Sequence, residues 1–136
     1  MANANIHPIC PDTIRRISTS IATANTARDG SGTITAFITA GPRGSVIPAV
    51  NVRHLGAVAV ASSPMVARLW HRNLGAGTWY LLDEVVLPAA TPATAGTVGA
   101  AAAFAKINIA IAATDTLGVT ISVAESVGFS CDAGDY

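Results

Sequence analysis

Residues 65–87, MVARLWHRNLGAGTWYLLDEVVL, carry two strand-like patterns on either side of a turn-forming segment. In the first half the residues at every second position are apolar, while Arg68 and Arg72 take the opposite face, as the period of two of a β-strand requires. Residues 73–77 are rich in turn formers, and residues 79–87 supply an apolar partner segment. The stretch therefore predicts an antiparallel β-hairpin.

Strand-like segments recur on both sides of this hairpin. Turn-forming residues separate them, and the segments span residues 33–39, 46–52, 56–61, 106–111, 117–123 and 126–131. The second and third of these fit either two short strands or one bent strand. About seven or eight short strands without sustained helical periodicity are typical of an antiparallel β-sandwich, for which the jelly roll is one topology. The chain is therefore predicted to be all-β.

Residues 88–103 differ from the rest of the chain in composition. They consist almost entirely of Ala, Thr, Gly and Pro, with few large apolar side chains. Such a composition predicts a long loop, because little apolar surface is available to anchor it. Residues 100–106, AAAAFAK, are compatible with a helical turn, since Ala is the best helix former.

The apolar members of the alternating strands form the predicted core. These residues are Ile34, Ile38, Val58, Val60, Leu69, Leu81, Val85, Ile107, Ile109, Val119 and Ile121. Replacing Ile109 or Ile121 by Ala is expected to cost about 2–5 kcal/mol where the side chain is fully packed.

The N-terminal section is predicted to be an extended arm. Residues 3–29 contain two early prolines and a polar, weakly periodic sequence, so residues 1–30 are interpreted as an arm and a first strand, and residues 31–136 as the sandwich domain. We expect residues 2–26 to be mobile in the free protein and removable without unfolding the sandwich, although assembly would weaken. The apolar anchors expected to dock on a partner are Ile6, Ile9, Ile14, Ile17 and Ile21.

The composition argues against nucleic-acid and membrane partners. Eight basic residues balance eight acidic ones, so no long-range field attracts the chain to nucleic acid or anionic lipid. The start, MANANIHPIC, lacks the features of a secretory signal, and Pro and Gly interrupt the uncharged residues 85–105. Hydrophobic residues make up 51% of the chain and charged residues only 12%. A surface with so little charge suits contact with other proteins.

No catalytic residue, cofactor or metal site is predicted. Asp83 and Glu84 would point to opposite faces of a strand, which prevents cooperation as a general acid and base. The three histidines, His7, His54 and His71, lie in no metal-ligand motif. The nucleophile-elbow and phosphate-loop motifs are also absent from the sequence. The chain is therefore interpreted as a binding protein and not as an enzyme.

Two further groups of side chains leave alternatives open. Cys10 and Cys131 are favoured as ordinary buried thiols, with a disulfide between them as the alternative. Trp70, Trp79 and Tyr80 lie in apolar segments, which favours core packing over a stacking platform for a sugar.

The order of features resembles that of small virion proteins of tailed bacteriophages. The resemblance lies in the N-terminal arm, the Thr/Gly-rich strand GTITAFITAG, the run MVARLWHRNLGAGTWYLLDEVVLPAATPA and a final hydrophobic pair of strands. It implies an all-β capsid decoration (cement) protein, made in the host cytoplasm and located on the capsid surface. The implied partners are the major capsid protein and further copies of the chain, with a homotrimer favoured. The alternative is a carbohydrate- or receptor-binding module of a tail or head fibre.

Overall fold

The computed structural model describes residues 10–57, 59–73, 77–92 and 99–136, and these residues form ten β-strands in two antiparallel sheets. No helix that could span a membrane occurs among them. The strands are β1 (Thr13–Ile21), β2 (Thr35–Thr39), β3 (Ser45–Ile47), β4 (Val50–His54), β5 (Met65–Arg72), β6 (Tyr80–Leu87), β7 (Ala101–Ala103), β8 (Ile109–Ile111), β9 (Thr116–Ile121) and β10 (Val127–Asp135).

The first sheet is organised around β10. On one side β1 pairs with β10 over nine residue positions, from Thr13 opposite Asp135 to Ile21 opposite Val127. On the other side β4 and β3 pair with successive parts of β10, so together they act as one bent strand. Pro48 lies in the bend, and its lack of an N–H interrupts the hydrogen-bond ladder there. On the far side of this bent strand, β7 pairs with β4 and β8 pairs with β3.

The second sheet has the order β2-β9-β5-β6 and contains the predicted hairpin. Strands β5 and β6 pair from Met65 opposite Leu87 to His71 opposite Tyr80, with a bulge between Leu69 and Trp70. This confirms the antiparallel hairpin predicted from residues 65–87.

The connectivity is that of a jelly roll. Strands pair from the ends of the chain inwards: β1 with β10, β2 with β9, β3–β4 with β7–β8, and β5 with β6. When each bent strand is counted once, both sheets have four strands, and every connection except that between β5 and β6 passes from one sheet to the other. The chain is therefore a long antiparallel hairpin rolled into two layers. The all-β sandwich prediction is confirmed.

The core lies between the two sheets and combines residues from eight strands. Its largest fully buried members are Phe104, Phe129, Ile38, Ile47, Leu69, Leu87, Leu117, Ile121, Val50, Val52 and Val119. The rings of Phe104 and Phe129 stack at a centroid separation of 6.4 Å. Burial is thus confirmed for Ile38, Leu69, Val119 and Ile121 of the predicted core.

Other members of the predicted core lie elsewhere. Val60 is 57% exposed and Ile107 is 65% exposed, because both lie outside strands, where alternation does not set the direction of a side chain. Val58 lies outside the described residues. Four more are only partly buried: Ile34, Leu81, Val85 and Ile109.

Two predicted segments also differ from the structure. The predicted loop at residues 88–103 ends in strand β7, where three alanines pair with β4. Ala has low strand propensity, but the edge of β4 that does not pair with β10 provides backbone hydrogen-bond partners at this position. The described part of residues 56–61 contains no strand, so the bent strand is formed by β3 and β4 instead.

A substitution pair tests the assignment of the core. Ile121→Ala should lower the free energy of unfolding by about 2–5 kcal/mol, because a fully buried side chain is lost. Ile107→Ala should change it by less than about 0.5 kcal/mol, since that side chain is exposed. Urea denaturation followed by circular dichroism measures both values. Equal losses in the two variants would contradict the described packing.

Candidate docking surface

The outer faces of the two sheets differ in that one is covered and the other is open. Residues 24–34, the covering segment, lie across the outer face of the second sheet with Trp79. A Cβ added to Gly118 would lie 2.6 Å from Ile34 Cγ2 and 2.8 Å from the Trp79 ring. Trp70, on the same face, is fully buried, and its Nε1 donates to Thr120 Oγ1 at 2.9 Å. This face therefore forms a small second core.

Buried charge holds the covering segment in place. Arg68, only 6% exposed, donates from Nε to Glu84 Oε1 at 2.7 Å and from Nη1 to the carbonyl of Asn25 at 3.2 Å. Arg28 of the covering segment donates to the other oxygen of Glu84 at 2.6 Å. Because a buried cation without partners is costly, the contact of Arg68 with Asn25 and that of Arg28 with Glu84 attach the segment to the sheet.

The outer face of the first sheet, called here the open face, carries no such layer of described residues. Strands β1, β10, β4 and β7 present small or polar side chains there, and the curled sheet makes them line a trough of about 920 Å³. Leu55 lies beside Gly128 at one end. The outward residues of the trough are Ser18, Ser20, Asn51, Arg53, Ala101, Gly128 and Ser130.

The open face has little charge. Arg16 and Asp132 form an exposed pair at 3.0 Å beside the trough. Within the trough Arg53 is the one charged side chain, and it makes no ion pair with any described residue. The surface can therefore be covered by another polypeptide without extensive loss of hydration of charged groups.

One end of the open face is apolar and firmly anchored. Ile14, 77% exposed, projects there from β1. Beneath it Arg15 donates to Asp135 at 2.8 Å and to the carbonyl of Thr39 at 3.0 Å, which joins the first sheet to the second. Ser45 Oγ also donates to Asp135, at 2.5 Å. The exposed apolar group thus stands on a rigid support.

The five isoleucines predicted as partner anchors have different positions. Ile6 and Ile9 lie outside the described residues. Ile17 and Ile21 face inwards from β1 and pack against the core, so they are occupied within the chain. Ile14 is left exposed by the described residues.

The expected behaviour of residues 2–26 does not fit this structure. Their deletion would remove β1, the strand that pairs with all of β10. Phe129 and Cys131 would then lose a neighbouring strand, so the sandwich would be damaged and not merely detached from its partner. Composition alone suggested an arm because β1 is polar on its outward side.

The acidic pair Asp83–Glu84 functions in two separate contacts. Glu84 binds Arg68 and Arg28, whereas Asp83 Oδ2 accepts from the backbone N–H of Lys106 at 2.8 Å. The pair lies on the edge strand of the second sheet. Both carboxylates therefore have structural roles.

The histidines are likewise dispersed. His71 Nε2 lies 3.0 Å from Asp115 Oδ2, while buried His54 lies 3.8 Å from Glu125. His7 lies outside the described residues. Among the residues that are described, no group of three or more His, Cys, Asp or Glu side chains could hold a metal ion.

The two cysteines do not form a disulfide. Cys131 is buried as predicted, and burial raises the pKa of its thiol to about 11. Cys10 is exposed, so the prediction of a buried thiol is wrong there. Its position just before β1 places it on the protein surface.

The aromatic residues do not form a common platform. Trp70 is in the interior, as predicted, and Trp79 is half-buried with the Arg72 guanidinium 4.5 Å from its ring. Tyr80 is 55% exposed, which contradicts its predicted core position. It lies on β6, at the edge of the second sheet, away from the trough.

Sequence reasoning missed the open face because its members come from distant segments. The signal was the alternation of small polar residues in Ser18 and Ser20 and again in Gly128 and Ser130. The β1–β10 register places these residues side by side, and that register was not evident from the sequence. Comparisons with known protein families, with curated proteins and with solved structures found no match.

The hydrogen bonds that Arg15 and Ser45 donate to Asp135 predict that the stability of the protein depends on pH. Hydrogen bonding from Arg15 lowers the pKa of Asp135 below its usual value, with a further contribution from Ser45. The stabilisation is therefore present above the unfolded-state pKa of about 3.9 and is lost as the pH falls through the lower folded-state pKa. Asp135→Asn should be less stable at pH 7 and should lose less stability on acidification. Urea titrations between pH 7 and pH 2 measure this, and a slope identical to wild type would contradict it.

Proposed function

We propose that this chain is a non-enzymatic structural protein of a tailed-bacteriophage virion, a decoration or cement protein that binds the major capsid protein and stabilises the head. The observation that carries the proposal is the open face. It presents a four-stranded surface with small side chains and little charge, while the opposite outer face is already covered. Such a surface is suited to close contact with another folded protein.

The fold and the composition are consistent with this role. Jelly rolls occur in viral capsid proteins, although the fold alone does not determine function. A charge content of 12% reduces the cost of removing the surface from water. Ile14 adds an exposed apolar anchor at one end of the open face.

We further propose that the protein acts as a homotrimer on the capsid surface. Closed cyclic assemblies fit the symmetry axes of a shell. Three open faces that engage the shell together would raise avidity even if each single contact is weak. Mechanical stabilisation then results from the bridging of neighbouring capsid subunits.

The second candidate is a carbohydrate- or receptor-binding module of a fibre. The trough favours it in one respect, since its volume is that of a ligand site and it is lined by Ser, Asn and Arg side chains. Jelly rolls also occur in lectins. However, sugar sites in such modules use exposed aromatic rings, and the exposed Tyr80 lies on the other sheet. The decoration proposal therefore has the stronger support.

A charge placed in the trough tests the proposal. Ser130→Glu should lower affinity for purified capsids of the parent phage about 10-fold or more, because a larger, charged side chain would prevent close contact with the partner and would lose hydration there. Co-sedimentation measures binding, and the temperature at which capsids rupture measures stabilisation.

Thr33→Glu provides the matched control. Thr33 is exposed beside the covered face, so the same charge there should leave capsid binding unchanged. Equal binding by the Ser130→Glu variant and wild type would show that the open face is not part of the interface with the capsid. A wild-type protein that ignores capsids but binds glycans would favour the fibre module instead.

A further inference from the structure

The chain reaches the open face before β1 begins. A Cβ added to Gly134 would lie 2.7 Å from Pro11 Cγ, so Pro11 rests directly on that glycine. Gly134 is the register partner of Ile14, which means that Pro11 lies above the strand next to β1. The N–H of Asp12 donates to the carbonyl of Asp135 at 2.7 Å and fixes this turn. Residues 11 and 12, just before β1, therefore already lie against the outer side of the first sheet.

Residues 1–9 are long enough to reach the whole trough from this point. Ser130 and Gly134 belong to the same strand, and four residues of strand cover about 13 Å. Gly128, at the far end of the trough, lies about 20 Å from Gly134 by the same measure. Nine extended residues span up to about 30 Å. The segment can therefore follow the trough to its end.

The chemistry of residues 1–9 complements that of the trough. The segment, MANANIHPI, contains no Asp, Glu, Lys or Arg. Asn3 and Asn5 could exchange hydrogen bonds with the hydroxyl groups of the trough, since an amide both donates and accepts. Ile6 and Ile9 could cover the small side chains of its floor and so be removed from water. The segment adds no charged side chain to the trough, and Arg53, the one charged side chain among the described lining residues, is exposed opposite Gly128 at the far end.

The same chain already provides an example of this arrangement. Residues 24–34, which follow β1, cover the outer face of the second sheet, and residue 11, which precedes β1, lies on the outer face of the first. We propose that the trough is the binding site for residues 1–9 of the same chain. Tethering at Pro11 raises the effective concentration of the segment, so weak contacts suffice.

The proposal does not depend on the assignment to a virion, because it concerns the isolated protein. It adds a form of regulation if that assignment holds. A capsid protein that binds the open face would have to displace residues 1–9, which would then act as an intramolecular competitor. Its test therefore requires no capsids.

A paramagnetic label at residue 4 tests the proposal in the full-length protein. Ala4→Cys is combined with Cys10→Ser, and the buried Cys131 remains unlabelled. The amide NMR signals of Ser20, Arg53 and Gly128 should lose most of their intensity, whereas that of Val86 on the second sheet should not. The loss should be the same at all protein concentrations, because the contact is intramolecular.

Filling the trough provides the second variant. Ser130→Trp should restore the signals of Ser20 and Arg53 by displacing the segment, while Val86→Trp, at an exposed position of the second sheet, should not. Full signal intensity in the trough of the labelled protein would overturn the proposal. A loss of signal intensity that Ser130→Trp leaves unchanged would also overturn it. A loss that grows with protein concentration would overturn it as well, because it would indicate a second copy of the chain as the acceptor.

Discussion

The antiparallel pairing of β1 with β10 is the constraint on which the rest of the structure depends. It joins the two ends of the described chain over nine residue positions and closes the outermost layer of the rolled hairpin. Bringing such distant segments together costs loop-closure entropy, which is recovered only when the inner strands also pair. The strand pairs are therefore interdependent. The same ladder brings the serines of β1 and β10 together and so creates the open face.

The elements predicted correctly are those whose signal is local. The hairpin at residues 65–87 has its two strands and its turn in one short stretch, and the alternation in β9 marks Val119 and Ile121 as interior residues. Strand β7 was missed because three alanines carry no strand signal and pair only where β4 is available. The isoleucines of β1 were assigned to a partner because nothing near them in sequence shows that β10 lies beside them. In the candidate site, only Ile14 among those isoleucines was placed where a partner could reach it.

The outer faces of the two sheets differ in how far other parts of the chain cover them. On the second sheet, Arg68 and Glu84 are satisfied by the covering segment, and Trp70 is fully enclosed. On the first sheet, most of the polar groups are small, and Arg53 carries the only charge among the described residues that line the trough. A contact on the first sheet would therefore bury few charged groups, whereas the second sheet presents a closed layer.

The bend at Pro48 has a consequence for the way in which copies of the chain meet one another. It divides the outer border of the first sheet into β7 and β8, two strands of three residues each, with the positive-φ residue Asn108 between them. A continuous border of unpaired backbone groups would be a template for strand addition and fibre growth, whereas two short, offset pieces are a poor one. The kink thus makes this border a poor site for strand addition, whereas the opposite border of the sheet, β1, is continuous over nine residues.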